Sequence, residues 1–225
     1  TKQPTALALW ERTRPRRRHF EDIARFELAD QDVVNYKYCM DDSARDAASF
    51  VAEVTAALAA ELAGAGLAQH AAALTLAADA KRARPALLWQ FAQLAGAPRS
   101  PALVDAAVML ELVHTASLVH DDIVDGAATR RGGASVNASV GNATAVLVGD
   151  DLLVRALQRV AADPGLVALA LHTIGTMVAG VAAEVAARGD VGVTEAQWHA
   201  IATGKTASLF ALCGAAAGHL AGRPV

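Results

Sequence analysis

The stretch LVHTASLVHDDIVDGAATRRGG, residues 112 to 133, places Asp121, Asp122 and Asp125 at the close of an apolar segment and follows them with Arg130 and Arg131. On a helix, Asp121 and Asp125 fall one turn apart on one face, Asp122 flanks them, and His114 lies two turns earlier on nearly the same stripe. A helix C-terminus carries partial negative charge, so each acid there costs about 0.3–1 kcal/mol, and like charges at i, i+4 repel further. Something cationic must compensate. The two arginines alone could neutralise the acids at a surface turn. Against that, an all-oxygen carboxylate cluster suits Mg²⁺, which keeps several waters and binds through one or two carboxylates together with substrate phosphates. Adjacent guanidiniums suit the oxygens of a diphosphate. Acids and bases together read as a metal-bridged diphosphate site.

Two other basic groups stand at apolar borders. Lys81-Arg82-Ala83-Arg84-Pro85 opens a mostly apolar helix, ALLWQFAQLAG, and three cations at a helix N-terminus oppose its dipole and imply an anion there. Lys205 interrupts the apolar stretch 194 to 222. It either snorkels to solvent or reaches inward to a phosphate. His114-Thr115-Ala116-Ser117-Leu118 recurs as Lys205-Thr206-Ala207-Ser208-Leu209; in both copies a polar group leads small side chains, which leave room beside a helix.

The elements that must hold these groups are helical. Of 225 residues, 54% are hydrophobic and only 4% aromatic, and the apolar positions recur at helical rather than alternating spacing,. This predicts an all-α fold with helices near 47 to 64, 67 to 80, 84 to 95, 101 to 125, 138 to 162, 164 to 187 and 194 to 222, broken by glycine and proline. Short connections make sequence neighbours antiparallel. Gly165 to Val181 is nearly uncharged and reads as a buried central helix of a bundle rather than a membrane span. Asp150-Asp151, with Arg155 at i+4, reads as a helix start, as does the acidic run 41 to 46. Residues 1 to 45 form a partly irregular arm with a solvated basic run, Arg12 to Arg18, ahead of a helical domain 46 to 225. A formal charge of −3 gives no general attraction to nucleic acid,, and Cys39 and Cys213 make no disulfide framework. The lack of a disulfide framework makes a reducing cytoplasm the expected compartment, and no signal peptide or transmembrane segment is read.

KRARPALL, ELVHTASLVHDDIVDGAATRRGGASVN, GNATAVLVGDDLL and KTASLF, in this order and spacing, closely resemble the trans-type isoprenyl (polyprenyl) diphosphate synthases from about Val51 to Gly222. The resemblance implies an antiparallel helical bundle of the isoprenoid synthase type, lacking its C-terminal helices, that acts as a homodimer. It implies a Mg²⁺-dependent prenyltransferase joining isopentenyl diphosphate to an allylic diphosphate. Asp121, Asp122 and Asp125 would hold Mg²⁺ on the allylic diphosphate, with Arg130 and Lys205 touching the same group and Thr206 facing the reacting carbon. Lys81, Arg84, His114 and Arg131 would hold isopentenyl diphosphate. Ala116 and Ser117 stand where bulky side chains would close the product tunnel, and being small they imply a medium or long, membrane-associating polyprenyl product.

The sequence also departs from that pattern. The family's second aspartate-rich motif is absent from the 225 residues, Val181 replaces a polar residue, and Glu184 stands where Gln or Asp is usual. Two other readings therefore stay open: a non-catalytic or half-site subunit of a heteromeric synthase, and a class I terpene cyclase. The cyclase reading gives no use to Lys81, Arg84, His114 and Arg131.

Overall fold

A computed structural model describes residues 30–223 except 65, 78 and 79; the basic run Arg12 to Arg18 lies outside them. The chain divides into two units, Thr1–Ala44 and Arg45–Val225. Of the first, only the helical backbone from Asp30 is described.

Helix α1 (Asp30–Leu62) is continuous through the acidic run 41 to 46, so no helix starts there. Within the second unit it buries Phe50, Val54, Leu58 and Leu62, a strict i, i+4 stripe. Each such side chain contributes about 1.5–3 kcal/mol when fully buried. A 3₁₀ turn (Gly66–Ala71) and one short turn of helix, α2 (Ala72–Thr75), follow. The helix expected over 67 to 80 is therefore cut short. Next come α3 (Ala83–Ala95), α4 (Pro101–Val124), a hairpin of β1 (Thr129–Arg130) and β2 (Gly133–Ala134), α5 (Val136–Val140), α6 (Asn142–Arg159), α7 (Pro164–Ala186), α8 (Glu195–Ala202) and α9 (Ser208–Leu220). The helix expected over 138 to 162 is divided at Gly141, whose φ of 82° an L side chain rarely adopts,. Asp150 and Asp151 lie in the middle of α6, not at its start.

Helix α4 is the axis of the bundle. Ser100 caps it by accepting from the Leu103 amide, and Pro101 stands at its first turn,. Its residues from Ala106 to Val113 are all buried. It lies antiparallel along α6, with the His120 ring against Gly149 at one end and Asp105 paired to Arg159 at 2.7 Å at the other. A Cβ on Gly149 would meet that ring.

The segment expected to be the buried central helix takes a different place. Helix α7 buries one stripe, Leu166, Ala170, Thr173, Met177 and Gly180, while Leu171, Val178 and Val185 are exposed. By length and composition α4, α7 and the stretch Glu195–Leu220 are each apolar enough to cross a membrane. In α4, however, 72% of the most apolar window is buried in the fold, against 28% in α7. The central role thus belongs to α4. Mean hydropathy could not separate the two, because both helices are apolar on nearly every side.

The stretch expected as one helix over 194 to 222 is interrupted between α8 and α9 by a π-helical turn, Thr203–Ala207. Such one-residue bulges rotate the side chains that follow them and recur at functional sites. This one is pressed against α7: a Cβ on Gly180 would stand 2.5 Å from the backbone nitrogen of Lys205. Two glycines, Gly180 and Gly204, permit that approach and so fix where Lys205 leaves the backbone.

One buried ion pair anchors the opposite wall. Arg82, at φ 48° just before α3, donates to Glu111 of α4 at 2.7 Å and to the Thr75 carbonyl at 2.5 Å. Of the three cations read as facing an anion, Arg82 is therefore neutralised inside the protein. Arg82→Met leaves Glu111 charged and buried without a partner, and should cost about 3–5 kcal/mol in denaturant unfolding. The double variant Arg82→Met/Glu111→Leu should recover most of that loss; an unchanged midpoint for the single variant would contradict the assignment.

Candidate functional site

The three aspartates at the end of α4 are each held by a cation from a different element. Asp122, fully buried, accepts from Arg130 Nε at 2.8 Å, and Arg130 Nη2 also donates to the same oxygen. The hairpin makes this contact: Arg131 (φ 50°) and Gly132 (φ 76°) both take positive φ at its tip, a turn that folds β2 back onto β1 and fixes the strand that carries Arg130,. Asp125 pairs with Arg188 at 2.5 Å. Asp121 lies 3.7 Å from Lys205, whose ammonium also donates to Glu184 of α7 at 2.6 Å.

Burial pushes the Asp121 carboxyl above its ordinary value, with Asp125 and Glu184 adding to the push and Lys205 opposing it. Burial also works against the Lys205 ammonium, but the hydrogen bond to Glu184 and the nearby Asp121 outweigh it and hold its pKa above the ordinary value. The corner is thus a compressed set of carboxylates with too few cations. A divalent ion would relieve it.

Beside these groups a cavity of about 420 Å³ runs between α4, α6, α7 and α9. Its body is apolar, lined by Val113, Leu118, Leu153, Ile174, Met177 and Leu209 among others, and its polar groups are Asp121, Lys205, Thr206, His114, Arg84, His120 and Ser117. The two halves of the repeated sequence face one another across it, His114, Ser117 and Leu118 from α4 and Lys205, Thr206 and Leu209 from the π turn and α9.

The second polar pole is cationic. The Arg84 guanidinium stacks 4.6 Å over Phe210, its buried Nε accepted by nothing among the described residues. Arg131 donates to the Leu74 carbonyl at 2.9 Å. His114 is pushed down to about 3, first by burial and then by Arg84, Arg131, Arg130 and Arg82. It is therefore a neutral imidazole among guanidiniums, able to donate one N–H without adding charge.

The expected site residues divide accordingly. Asp121, Lys205, Thr206, His114, Arg84 and Ser117 line one cavity. Asp125 sits a turn beyond, while Asp122 turns toward the hairpin with Arg130. Adjacent Arg130 and Arg131 point apart, and Lys81 is exposed outside the lining. Ala116 is fully buried and does not line the cavity, so Ser117 alone of that pair does. Among the described residues no three His, Cys, Asp or Glu side chains converge as a ready-made metal cage. Asp121 and Asp125, one turn apart, still fit an ion that takes the rest of its shell from water and phosphate. The Oδ2 of Asp122 is buried with no hydrogen-bond partner among the described residues.

Sequence reasoning missed Arg188, which follows the end of an apolar helix and carries no pattern, and it gave Glu184 no partner.

The family model of the polyprenyl synthetases matches residues 66–225. The chain belongs to the polyprenyl synthetase family. It is 39% identical over 144 residues to the octaprenyl diphosphate synthase of Haemophilus influenzae, covering 63% of this chain and 44% of that protein. It is 36% identical over 149 residues to the geranyl-diphosphate-specific all-trans-nonaprenyl-diphosphate synthase of Rhodobacter capsulatus, covering 65% and 46%. It thus spans less than half the length of these curated relatives. Among solved structures, a decaprenyl diphosphate synthase from Rhodobacter capsulatus superimposes with TM-score 0.75 at 29% identity, over 82% of this chain and 57% of that one. A Caulobacter crescentus polyprenyl synthase complexed with calcium and isoprenyl diphosphate gives the same values. The polyprenyl synthetase fold is thus shared by chain and neighbours, and α4, whose end carries the aspartates, is its axis.

A prediction follows for His114. Its NMR titration in the free protein should show no protonation above about pH 4. Adding inorganic pyrophosphate should raise the midpoint, since an anion favours the charged ring. Because the folded value lies below the ordinary 6.5, His114 contributes stability that is full above about pH 6.5 and is lost as pH falls toward 3. His114→Gln should flatten that acid limb, and an unchanged limb would contradict the environment described.

Proposed function

We propose that the chain forms the condensing site of a Mg²⁺-dependent polyprenyl diphosphate synthase, joining isopentenyl diphosphate to an allylic diphosphate to give a medium or long polyprenyl diphosphate. One observation carries this reading: a single apolar cavity has two polar ends, the ion-paired Asp121 carboxylate and Lys205 at one and the Arg84 guanidinium with the neutral His114 imidazole at the other. A reaction between two diphosphates with apolar tails needs such an arrangement. Family membership supports it, as do the names of the relatives and of the structure complexed with calcium and isoprenyl diphosphate. The terpene cyclase reading gives no use to the second, cationic pole.

Bound at Asp121 and Asp125, Mg²⁺ would supply positive charge for the departing diphosphate. The residues of the chain do the rest. Lys205 reaches the same diphosphate from the π turn, and Arg130 holds the Asp122 carboxylate fixed toward the hairpin. Arg84 and His114 orient isopentenyl diphosphate so that its double bond meets the allylic carbocation, and proton loss completes the elongation. Val113, Ile174 and Met177 keep water from that cation. Exposed Val146, Leu147 and Val154 on α6 offer an apolar surface to the homodimer the family implies.

With Mg²⁺, isopentenyl diphosphate and farnesyl diphosphate, the chain should form longer prenyl diphosphates, and Asp121→Asn should lower kcat at least about a hundredfold. No turnover by the wild-type chain would contradict the proposal. Ser117→Tyr, which puts a ring into the cavity, should shift the products to shorter chains on chromatography, whereas Ala116→Phe should chiefly destabilise the α4 packing. An unchanged product distribution for Ser117→Tyr would sink the assignment of Ser117 to the tunnel.

A further inference from the structure

Of the three cations at the end of α4, two hold partly or fully buried carboxylates, and Arg188 differs from both. Its Nη2 lies 2.5 Å from Asp125 Oδ1 and its Nη1 donates to the Val124 carbonyl at 3.0 Å. Its side chain and that of Asp125 are 46% and 47% exposed, whereas Asp122, held by Arg130, is fully buried. Removing a partner from a buried carboxylate is costly, so Arg130 is a fixed counter-ion. An exposed pair is worth little, and water replaces either partner readily.

Asp125 is also one of two carboxylates that face the proposed cation on the same helix face, and the arginine occupies one of its oxygens. We infer that Arg188 is an exchangeable counter-ion: it neutralises Asp125 in the metal-free protein, yields that oxygen to a divalent cation, and then serves the anion that the cation brings. The contact with Val124 O makes the transfer short. That carbonyl belongs to the last turn of α4, where the helix end is negative, and it keeps the guanidinium at the mouth after Asp125 has let go,. The planar fork of a guanidinium then fits paired phosphate oxygens.

The electrostatics agree in sign. Asp121, Asp125 and Glu184 face Lys205 and Arg188 in this corner, so a bound divalent ion meets a cation it must displace. An added diphosphate then restores the need for that cation. Arg188 is thus a positioning residue whose effect reverses between the two ligands. The inference rests on the diphosphate reading above.

The test uses the full chain and Mn²⁺ as an EPR-visible divalent ion, titrated with and without inorganic pyrophosphate into wild type, Arg188→Gln and Arg188→Lys. Without pyrophosphate, Arg188→Gln should bind Mn²⁺ about twofold to fivefold tighter than wild type. With pyrophosphate present the order should invert, the variant retaining pyrophosphate about twofold to fivefold less well. Arg188→Lys should fall between the two. Equal or weaker Mn²⁺ binding by Arg188→Gln without pyrophosphate overturns the inference alone if the wild type binds Mn²⁺ with pyrophosphate. Failure of the wild type to bind Mn²⁺ even with pyrophosphate overturns the diphosphate reading and the inference with it.

Discussion

The structure turns on a charge problem at one helix end. Asp121, Asp122 and Asp125 sit where the α4 dipole is already negative, and three other elements each bring a cation to them: Arg130 from the hairpin that follows, Arg188 from beyond α7, and Lys205 from the π turn. The contacts are unequal. Asp122 is buried, so its arginine is a structural necessity, and the hairpin exists in a form that delivers it. Asp121 and Asp125 are met at longer range or in solvent, and those contacts can be given up. A rigid base thus carries two carboxylates that remain available, which is what a site for a hydrated cation and a phosphate requires.

The cavity follows from the same arrangement. Helix α4 is buried on nearly all sides until its last turns, where His114, Ser117, Leu118 and Asp121 open onto the space against α7 and α9. The π turn and the contact between Gly180 and Gly204 bring Lys205 into that space without a loop. Rigid elements therefore position both poles, and the apolar wall between them comes from helices whose packing also forms the core.

Much of this was legible in the residues. The period of the apolar positions gave α3, α4 and α7 within a few residues, because each is long and capped by glycine, Ser100 or Asp163. Charge at the wrong helix end announced that cations must arrive. Which cations was not legible, since Arg188 and Glu184 are placed by tertiary packing alone. The direction of Asp122 was hidden for the same reason: on a helix its neighbours suggest one face, but a half-buried arginine from the hairpin draws it to another. The π turn, the break at Gly141 and the outward face of α7 were also unreadable. A local bulge, a single positive φ and an uncovered apolar stripe leave the spacing of hydrophobic residues almost unchanged.

The central claim is that Asp121 and Asp125 are kept for a ligand at some cost to the fold. Thermal unfolding of Asp121→Asn against wild type, with and without magnesium pyrophosphate, tests it most directly. Burial disfavours the charged form of Asp121 in the folded protein, so at neutral pH the variant should unfold at the same temperature as wild type or a higher one. Magnesium pyrophosphate should raise the unfolding temperature of wild type by mass action and leave that of the variant unmoved. A variant that unfolds at lower temperature without ligand, yet gains as much as wild type when magnesium pyrophosphate is added, would contradict the account.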